Sequence, residues 1–205
     1  MALLRVAHPL IEDSLTKIRI ASTPPELFRR LTHKLTSLLV FEASRDLPTE
    51  ELEIATPLER ARGRKLTAEV VLVPVLRAGM GMLEAMLEIF PDASVGYVGL
   101  ERDEETAIAR RYYCKLPDLP DRYVFLLDPM LATGGSALAA VEALRDQGAR
   151  HIRLLCIVAA PEGVSLLQEH CPDVDIYTAA VDRQLNQRKF ILPGLGDFGD
   201  RLFGT

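Results

Sequence analysis

The chain has 205 residues, of which 48% are hydrophobic and 26% are charged, and its formal net charge is −5 at pH 7. A chain of this length buries a sizeable core without disulfides or structural metals, so we expect one domain over residues 1–205. The acidic balance disfavours a protein that coats nucleic acid, and no apolar run approaches the ~18 residues of a membrane span.

The N-terminal sequence and the cysteines indicate a cytoplasmic protein. The opening stretch MALLRVAHPLIEDS lacks the long apolar segment of a signal peptide. Cys114, Cys156 and Cys171 have no metal-ligand spacing, and Cys156 lies in an apolar run that is typical of a core. We therefore expect three reduced thiols.

The first predicted helix covers residues 24–47. Apolar side chains recur there at helical spacing from Leu27 to Phe41, and Thr23 is the predicted N-cap ahead of the prolines. The next segment, residues 52–66, is short and broken, and we interpret it as a β-hairpin arm.

From residue 70 onward, continuous apolar runs alternate with helical segments. Such runs are typical of strands buried on both faces of a parallel sheet. The alternation predicts a doubly wound α/β fold, with a mostly parallel five-stranded sheet flanked by helices. The predicted strands are 70–76, 94–100, 123–128, 151–160 and 175–181, and the predicted helices are 81–90, 136–149 and 161–170.

Ligands of such folds bind at the carboxyl ends of the strands. The loops that we expect to meet there begin at Arg77, Arg102, Asp128 and Asp182.

The stretch FLLDPMLATGGSALAAVEAL is the most informative of these. Asp128 ends a strand, a loop rich in Thr and Gly follows, and a helix begins near Ser136. Main-chain N–H groups at a helix start bind phosphate, and Gly134 and Gly135 let the main chain approach an anion closely. The Asp128 carboxylate can accept hydrogen bonds from vicinal hydroxyls. The alternative is a plain turn capped by Ser136, and a P-loop is excluded because G-x-x-x-x-G-K-[ST] is absent.

Four separated stretches, in this order, resemble the type I phosphoribosyltransferases and, among them, the uracil phosphoribosyltransferases. They are VPVLRAGMGM (73–82), LLDPMLATGGS (126–136), VAAPEG (158–163) and LPGLGDFGDRLFGT (192–205), and HPLI and FEASRDL also fit. The resemblance covers essentially the whole chain. It implies an enzyme that transfers phosphoribose from 5-phosphoribosyl-1-pyrophosphate (PRPP) to N1 of uracil, giving UMP and pyrophosphate with Mg²⁺.

The resemblance also implies a set of PRPP-binding residues. They are Arg77, Arg102, Asp128, Pro129, Met130, Leu131, Ala132, Thr133, Gly134, Gly135, Ser136 and Asp197. Asp128 would contact the ribose hydroxyls, residues 132–136 would cradle the 5′-phosphate, and Arg77 would hold the leaving pyrophosphate. Asp197 is the third implied catalytic residue. The plainer alternative for Arg77 is a surface ion pair. No residue is an expected direct metal ligand, since substrate oxygens and water would carry the Mg²⁺.

The implied uracil-binding residues are Ile191, Gly196, Asp197 and Phe198, acting largely through the main chain. Main-chain donors and acceptors matched to uracil leave buried groups unpaired with cytosine, which such a site rejects. We name residues 181–205 the hood and expect it to cover a core of about residues 20–180. The G-x-G-x-x-G match in the hood is expected to be accidental, because no βαβ unit follows it.

Four positions depart from the usual pattern of the family. Glu101 stands where Tyr is usual, Phe198 where Ala is usual, and Lys189-Phe190 where Gly-Tyr is usual. We expect Glu101 to face solvent, whereas an inward-pointing Phe198 would shrink the base pocket. Residues 103–114 are predicted to form a mobile flap that excludes water from the reaction.

Other functions remain open at this point. One is a phosphoribosyltransferase with another base preference, one is a nucleotide sensor with little turnover, and one is an RNA-binding regulator on the same fold. An RNA-binding protein would need a basic face, and the arginines cluster at 60–64 and 110–111 in a chain that is net acidic. We favour an enzyme with no nucleic-acid partner. The resemblance also implies a homodimer or homotetramer, and it makes GTP a candidate effector.

Overall fold

The computed structural model describes residues 2–102 and 109–205, and for residues 101, 102 and 109–111 it describes the main chain alone. The helices are α1 (Pro9–Arg19), α2 (Pro25–Ala43), α3 (Met80–Ile89), α4 (Gly135–Asp146), α5 (Pro161–His170) and α6 (Phe198–Phe203). The strands are β1 (Leu3–Arg5), β2 (Thr49–Ala55), β3 (Arg60–Leu66), β4 (Val70–Leu76), β5 (Ser94–Val95), β6 (Tyr97–Arg102), β7 (Ala109–Lys115), β8 (Tyr123–Leu127), β9 (Met130–Leu131), β10 (His151–Ala159), β11 (Asp175–Val181), β12 (Gln184–Leu185) and β13 (Ile191–Leu192).

The central sheet has the strand order β1-β11-β10-β8-β4-β6-β7, with β5 paired to β4 and β9 paired to β10. Its pairings are parallel except for the antiparallel pair of β6 and β7. The predicted α/β fold is therefore confirmed, and the predicted strands correspond to β4, β5 with β6, β8, β10 and β11. The sheet is larger than the five strands predicted, because β1 extends one edge and β7 the other.

The predicted flap of residues 103–114 divides into two parts. Residues 109–114 belong to β7 and pair with β6, so this part is a strand and not a loop. Residues 103–108 lie outside the described residues, and the flap's closing motion stays a prediction.

Side chains of the central strands alternate between two apolar clusters. In β4, Leu72 packs in the cluster that contains residues of α1, α2 and α3. Its neighbours Val71 and Val73 pack on the opposite face, in the cluster that contains residues of α4 and α5. This explains why the strand sequences read as continuous apolar runs, and it leaves polar chemistry to the strand ends.

The cysteines are free, as expected. Cys156 lies fully buried in β10, and burial raises the pKa of its thiol to about 12. Cys171 is also buried, and burial raises its pKa, whereas Cys114 is exposed. A thiol with a raised pKa is protonated near neutral pH, so the two buried side chains act as small apolar groups.

The N-terminal region differs from expectation. Neither β1 nor α1 was predicted, although Ile11, Leu15 and Ile18 form a buried stripe at helical spacing in α1. The prediction of Thr23 as N-cap was wrong. Pro24 holds that position, and the Thr23 hydroxyl donates instead to the main-chain oxygen of Lys17 at 2.6 Å, closing the turn between α1 and α2.

The predicted hairpin arm is confirmed as β2 and β3, which pair antiparallel from Thr49↔Leu66 to Ala55↔Arg60. Leu58 at its turn is 95% exposed, and Leu52, Ile54 and Leu66 are also exposed. Among the described residues, none of the helices has the length and apolar character needed to cross a membrane.

The hood packs on α2 through an aromatic contact. Phe198, the first residue of α6, is 3% exposed and meets the buried ring of Phe28 edge to face, with centroids 4.9 Å apart. The guanidinium of Arg201 lies 4.6 Å from the centroid of the same Phe28 ring. Phe28 therefore joins the hood to the body of the fold.

The loop after β8 is packed against α5 through two glycines. A Cβ on Gly163 would lie 2.5 Å from the main-chain oxygen of Ala132, which is closer than real side chains approach. Gly134 has a φ of 84°, in the left-handed region, and a Cβ there would lie 3.0 Å from the oxygen of Gly163. Both positions require glycine because the two main chains touch.

We expect Phe28→Leu to lower the free energy of unfolding by about 1–3 kcal/mol, since it removes an edge-to-face pair and leaves a small cavity. Phe41→Leu is the matched control, because Phe41 lies on the same helix and is 70% exposed. It should change stability by less than ~0.5 kcal/mol. Urea unfolding measures both, and equal losses would contradict the assigned packing.

We expect Gly163→Ala to lower the free energy of unfolding by about 2 kcal/mol or more, because the new methyl group must displace the main chain at Ala132. Gly135→Ala is the control, since its Cβ would have 3.8 Å to the nearest atom, the Thr133 hydroxyl. Thermal unfolding compares the two. A Gly163→Ala protein as stable as the Gly135→Ala protein would show that the loop does not touch α5 in this way.

Candidate functional site

A cavity of about 350 Å³ lies at the carboxyl ends of β4, β6 and β8 and is covered by the hood. It brings together nine of the predicted site residues: Arg77, Asp128, Met130, Ala132, Ser136, Ile191, Gly196, Asp197 and Phe198. The sheet register explains the convergence. Pro74 pairs with Leu127, so the loops that follow β4 and β8 emerge side by side.

The remaining predicted residues do not line this cavity in the described part of the chain. Pro129, Leu131 and Gly134 are buried, and Thr133 and Gly135 are half-buried in the same loop. Arg102 ends β6 at the same edge of the sheet, but its side chain lies outside the described residues, as does that of Glu101.

The loop from Asp128 to Gly134 is fastened to β10 by main-chain hydrogen bonds. The N–H of Asp128 donates to the oxygen of Leu155 at 3.2 Å, and the oxygen of Pro129 accepts from Ile157 and Val158 at 3.0 and 3.1 Å. The oxygen of Leu131 accepts from Ala160 at 2.8 Å. These hydrogen bonds therefore hold the loop that precedes α4 in one position against β10.

The start of α4 excludes the plain capped turn as the explanation of this loop. Ser136 is not the N-cap, because Gly134, which has a positive φ, holds that position and has no side chain to cap the helix. The N–H of Gly135 donates a long, 3.5 Å hydrogen bond to the Thr133 hydroxyl, and the first turn of α4 borders the cavity at Ser136. Such a helix start suits an anion.

Asp128 is half-buried at the cavity wall, between the two central strands. One of its carboxylate oxygens accepts a long, 3.4 Å hydrogen bond from the N–H of Met130. Asp128 therefore lines the cavity at the start of the loop that leads into α4.

Arg77 follows β4 in a loop that requires close main-chain approach. The peptide bond between Leu76 and Arg77 is cis, and a Cβ on Gly79 would lie 2.3 Å from the oxygen of Leu127. The guanidinium of Arg77 is 66% exposed and lies 4.0 Å from the Asp200 carboxylate. The surface ion pair weighed above is therefore present, but exposed pairs at this distance contribute little, so the guanidinium can turn to an anion at small cost.

The structure places Phe198 in the core. Its ring is 3% exposed and packs against Phe28, although the residue also borders the cavity. The residue is also the first of α6, and the preceding Asp197 caps that helix by accepting from the N–H of Asp200 at 2.9 Å. Asp197 itself is exposed at the cavity.

A turn between β12 and β13 supplies three cavity residues that the predicted site did not contain: Arg188, Lys189 and Phe190. The side-chain oxygen of Asn186 accepts from the N–H groups of Arg188 and Phe190, at 2.9 and 3.0 Å. Lys189 has a φ of 64°, a left-handed conformation that glycine adopts more readily. The Gly usual in the family at this position was the signal for such a turn.

The cavity wall carries both signs of charge. Arg77, Arg188 and Lys189 are its cations, and Asp128 and Asp197 are its carboxylates. This mixture suits a ligand that presents phosphates together with hydroxyl groups. The described residues contain no group of three side chains with metal-ligating atoms, so a divalent ion here would need oxygens from the ligand.

Comparison with known proteins agrees with this geometry. The family model described as uracil phosphoribosyltransferase matches residues 5–205. The uracil phosphoribosyltransferase of Symbiobacterium thermophilum is 53% identical over 202 residues, which cover 98% of this chain and 97% of that protein. The protein of the same name from Bacillus cytotoxicus is 52% identical over 200 residues, covering 97% of this chain and 96% of that one.

Solved structures give the same result for the fold. The AQ2163 protein from Aquifex aeolicus superposes with a TM-score of 0.94 at 39% identity, covering 99% of this chain and 98% of that chain. The APRTase from Giardia lamblia has a TM-score of 0.51 at 15% identity, covering 74% and 80%, and supports the fold alone. None of these comparisons favours an RNA-binding regulator. The chain has the type I phosphoribosyltransferase fold and belongs to the uracil phosphoribosyltransferase family.

Proposed function

We propose that the protein transfers the phosphoribosyl group of PRPP to N1 of uracil, giving UMP and pyrophosphate. This proposal is based on the cavity that is lined by the Arg77 loop, the Asp128 loop and the hood. It is also supported by the match of residues 5–205 to the family model. In the reaction the bond between ribose C1′ and pyrophosphate oxygen breaks, the N1–C1′ bond forms, and uracil releases its N1 proton.

Residues around α4 bind the phosphoribosyl end of PRPP. The main-chain N–H groups of residues 132–136 donate hydrogen bonds to the 5′-phosphate. Gly134 adds no side chain that would block the phosphate, and the start of α4 is electropositive. The Asp128 carboxylate accepts hydrogen bonds from the ribose hydroxyls. Pro129, Met130 and Leu131 act by holding the loop on β10, to which their main chain is bonded.

Arg77 binds the pyrophosphate. Its planar guanidinium donates two parallel hydrogen bonds to phosphate oxygens and offsets the charge that grows as the C1′ bond lengthens. We assign Arg102, from the neighbouring strand end, to the same anion. Asp197 supplies negative charge on the opposite side, where positive charge develops at C1′.

Magnesium is the proposed metal. Bound, it would neutralise the pyrophosphate oxygens. Asp128 is the carboxylate of the phosphate loop, and the described residues offer no cluster able to cage an ion, so PRPP oxygens and water would supply most of the ligands.

The hood recognises the base through hydrogen bonds from its main chain. We assign uracil contacts to Ile191, Gly196 and Phe198, with Asp197 at the ribose side. The buried ring of Phe198 supports this assignment, because the departure at this position then leaves the base pocket its size. Main-chain groups that match uracil leave unpaired donors or acceptors with cytosine, which the site therefore rejects.

We further propose a homodimer or homotetramer, in which the projecting arm buries its exposed leucines and Ile54 against another subunit. The three free thiols fit a reducing compartment, so we place the protein in the cytoplasm. GTP remains the proposed effector.

Turnover of labelled uracil with PRPP and Mg²⁺ tests the function. We expect UMP from the wild-type protein, and a loss of about 100-fold or more in kcat/KM in Asp128→Ala and in Arg77→Ala, since each removes an interaction with the reacting substrate. Asp92→Ala and Arg150→Ala are matched controls, because neither lines the cavity, and they should keep wild-type turnover.

The outcomes separate two failures. A wild-type protein that binds PRPP but forms no UMP would refute the proposed reaction. UMP formation that survives both site substitutions would refute the assigned residues and leave the reaction standing.

A further inference from the structure

A partly buried ion pair between the end of α1 and the start of the hood holds the main chain of Gly194. Arg19, the last residue of α1, donates to both carboxylate oxygens of Asp182, at 2.7 and 2.8 Å. The same guanidinium donates to the oxygen of Gly194 at 2.8 Å, and Asp182 accepts from the N–H of Gly194 at 2.8 Å. Both polar main-chain groups of Gly194 are therefore bonded to one ion pair.

This pair is not an ordinary surface salt bridge. The side chain of Asp182 is 6% exposed and that of Arg19 is 24% exposed. Asp182 follows β11 at the carboxyl edge of the sheet, where the sequence analysis expected a loop of the site. The structure instead turns its carboxylate inward, away from the cavity lining, to the hood main chain.

A second arginine holds the next residue. Arg201 donates to the oxygen of Leu195 at 2.8 Å and to the oxygen of Ile20, just after α1, at 2.6 Å. Its guanidinium lies over Phe28, and burial lowers its pKa, although an arginine stays charged at neutral pH. The hood main chain is thus tied to α1 at consecutive residues.

The held segment has little freedom of its own. Gly194 has a φ of 60°, and a Cβ there would lie 2.1 Å from the oxygen of Ile191. Gly196, the next glycine, has a φ of 75° and lines the cavity. The bonds to residues 194 and 195 therefore fix the main chain immediately before Gly196, the residue that lines the cavity.

We propose that Arg19 and Asp182 are positioning residues for the base, which set the main chain of the hood so that it matches uracil. The inference rests on the proposed function and adds two residues that do not line the cavity. The pair acts on the hood and not on the loops at Arg77 and Asp128, so its loss should weaken uracil selectively. PRPP binding should be nearly unaffected.

The test uses Arg19→Lys, which keeps the charge but loses the forked contact to Asp182 and Gly194. We expect the uracil KM to rise about tenfold, as for a misplaced hydrogen-bonding group, with the PRPP KM within about twofold of wild type. Preference for uracil over cytosine should fall. Asp182→Asn is the second variant, which keeps an oxygen for the N–H of Gly194 and should change the same constants in the same direction.

Arg153→Lys is the matched control. Arg153 forms another forked pair, with Asp46 at 2.8 and 2.9 Å, and also donates to the main-chain oxygen of Ala43, but it does not touch the hood. Loss of folded protein lowers the apparent kcat and leaves KM unchanged, so Arg153→Lys should keep the wild-type uracil KM even if it melts earlier.

A wild-type uracil KM in both Arg19→Lys and Asp182→Asn would overturn the positioning role, as would equal rises in the uracil and PRPP KM values. A wild-type protein that makes no UMP is a different result, which would overturn the proposed function and this inference with it.

Discussion

The register of the three central strands is the constraint on which the site depends. Pro74 of β4 pairs with Leu127 of β8, and Leu127 pairs with Leu155 of β10. This register puts the first polar residues after β4 and β8, Arg77 and Asp128, at one edge of the sheet. The strands are buried on both faces, so a slip of one residue would move each apolar side chain into the opposite cluster, where the close packing does not match its shape. The core therefore fixes the spacing between Asp128, the proposed ribose-binding group, and Arg77, the proposed pyrophosphate-binding group.

The base side of the site is built differently. The hood contributes two short strands and one short helix, and its apolar side chains Ile191, Leu195, Phe198 and Leu202 are buried in the cluster shared with α1, α2 and α3. It is held in place by Phe198 on Phe28 and by arginines bonded to main-chain oxygens, including Arg29, which donates to the oxygen of Leu202 at 2.8 Å. The proposed recognition of the base by the main chain of the hood needs such support from other elements, because its selectivity would depend on where the peptide groups point.

Much of the fold could be predicted from local sequence. The apolar runs predicted the parallel strands. Arg77 and Asp128, which follow two of these strands, both line the cavity. Gly134 could be predicted as well, since a loop entering a helix with Thr-Gly-Gly requires a left-handed residue. These features were accessible because each depends on residues close together in the chain.

Other features depend on distant partners and had no local signal. The bond between Arg19 and Asp182 spans 163 residues, and that between Arg201 and Ile20 spans 181. The orientation of the Phe198 side chain depends on Phe28, which lies in α2 near the other end of the chain. The turn that brings Arg188, Lys189 and Phe190 to the cavity depends on one side chain, Asn186, whose role becomes evident only once the turn is seen.

We propose that the main chain of the hood selects the base while the Phe198 ring stays in the core. A crystal structure with uracil and a PRPP analogue would show both features at once. We expect the uracil edge to form hydrogen bonds with main-chain groups of Ile191, Gly196 and Phe198, with the Phe198 ring still packed on Phe28. Uracil bound away from the hood, or a Phe198 ring turned into the cavity, would contradict it.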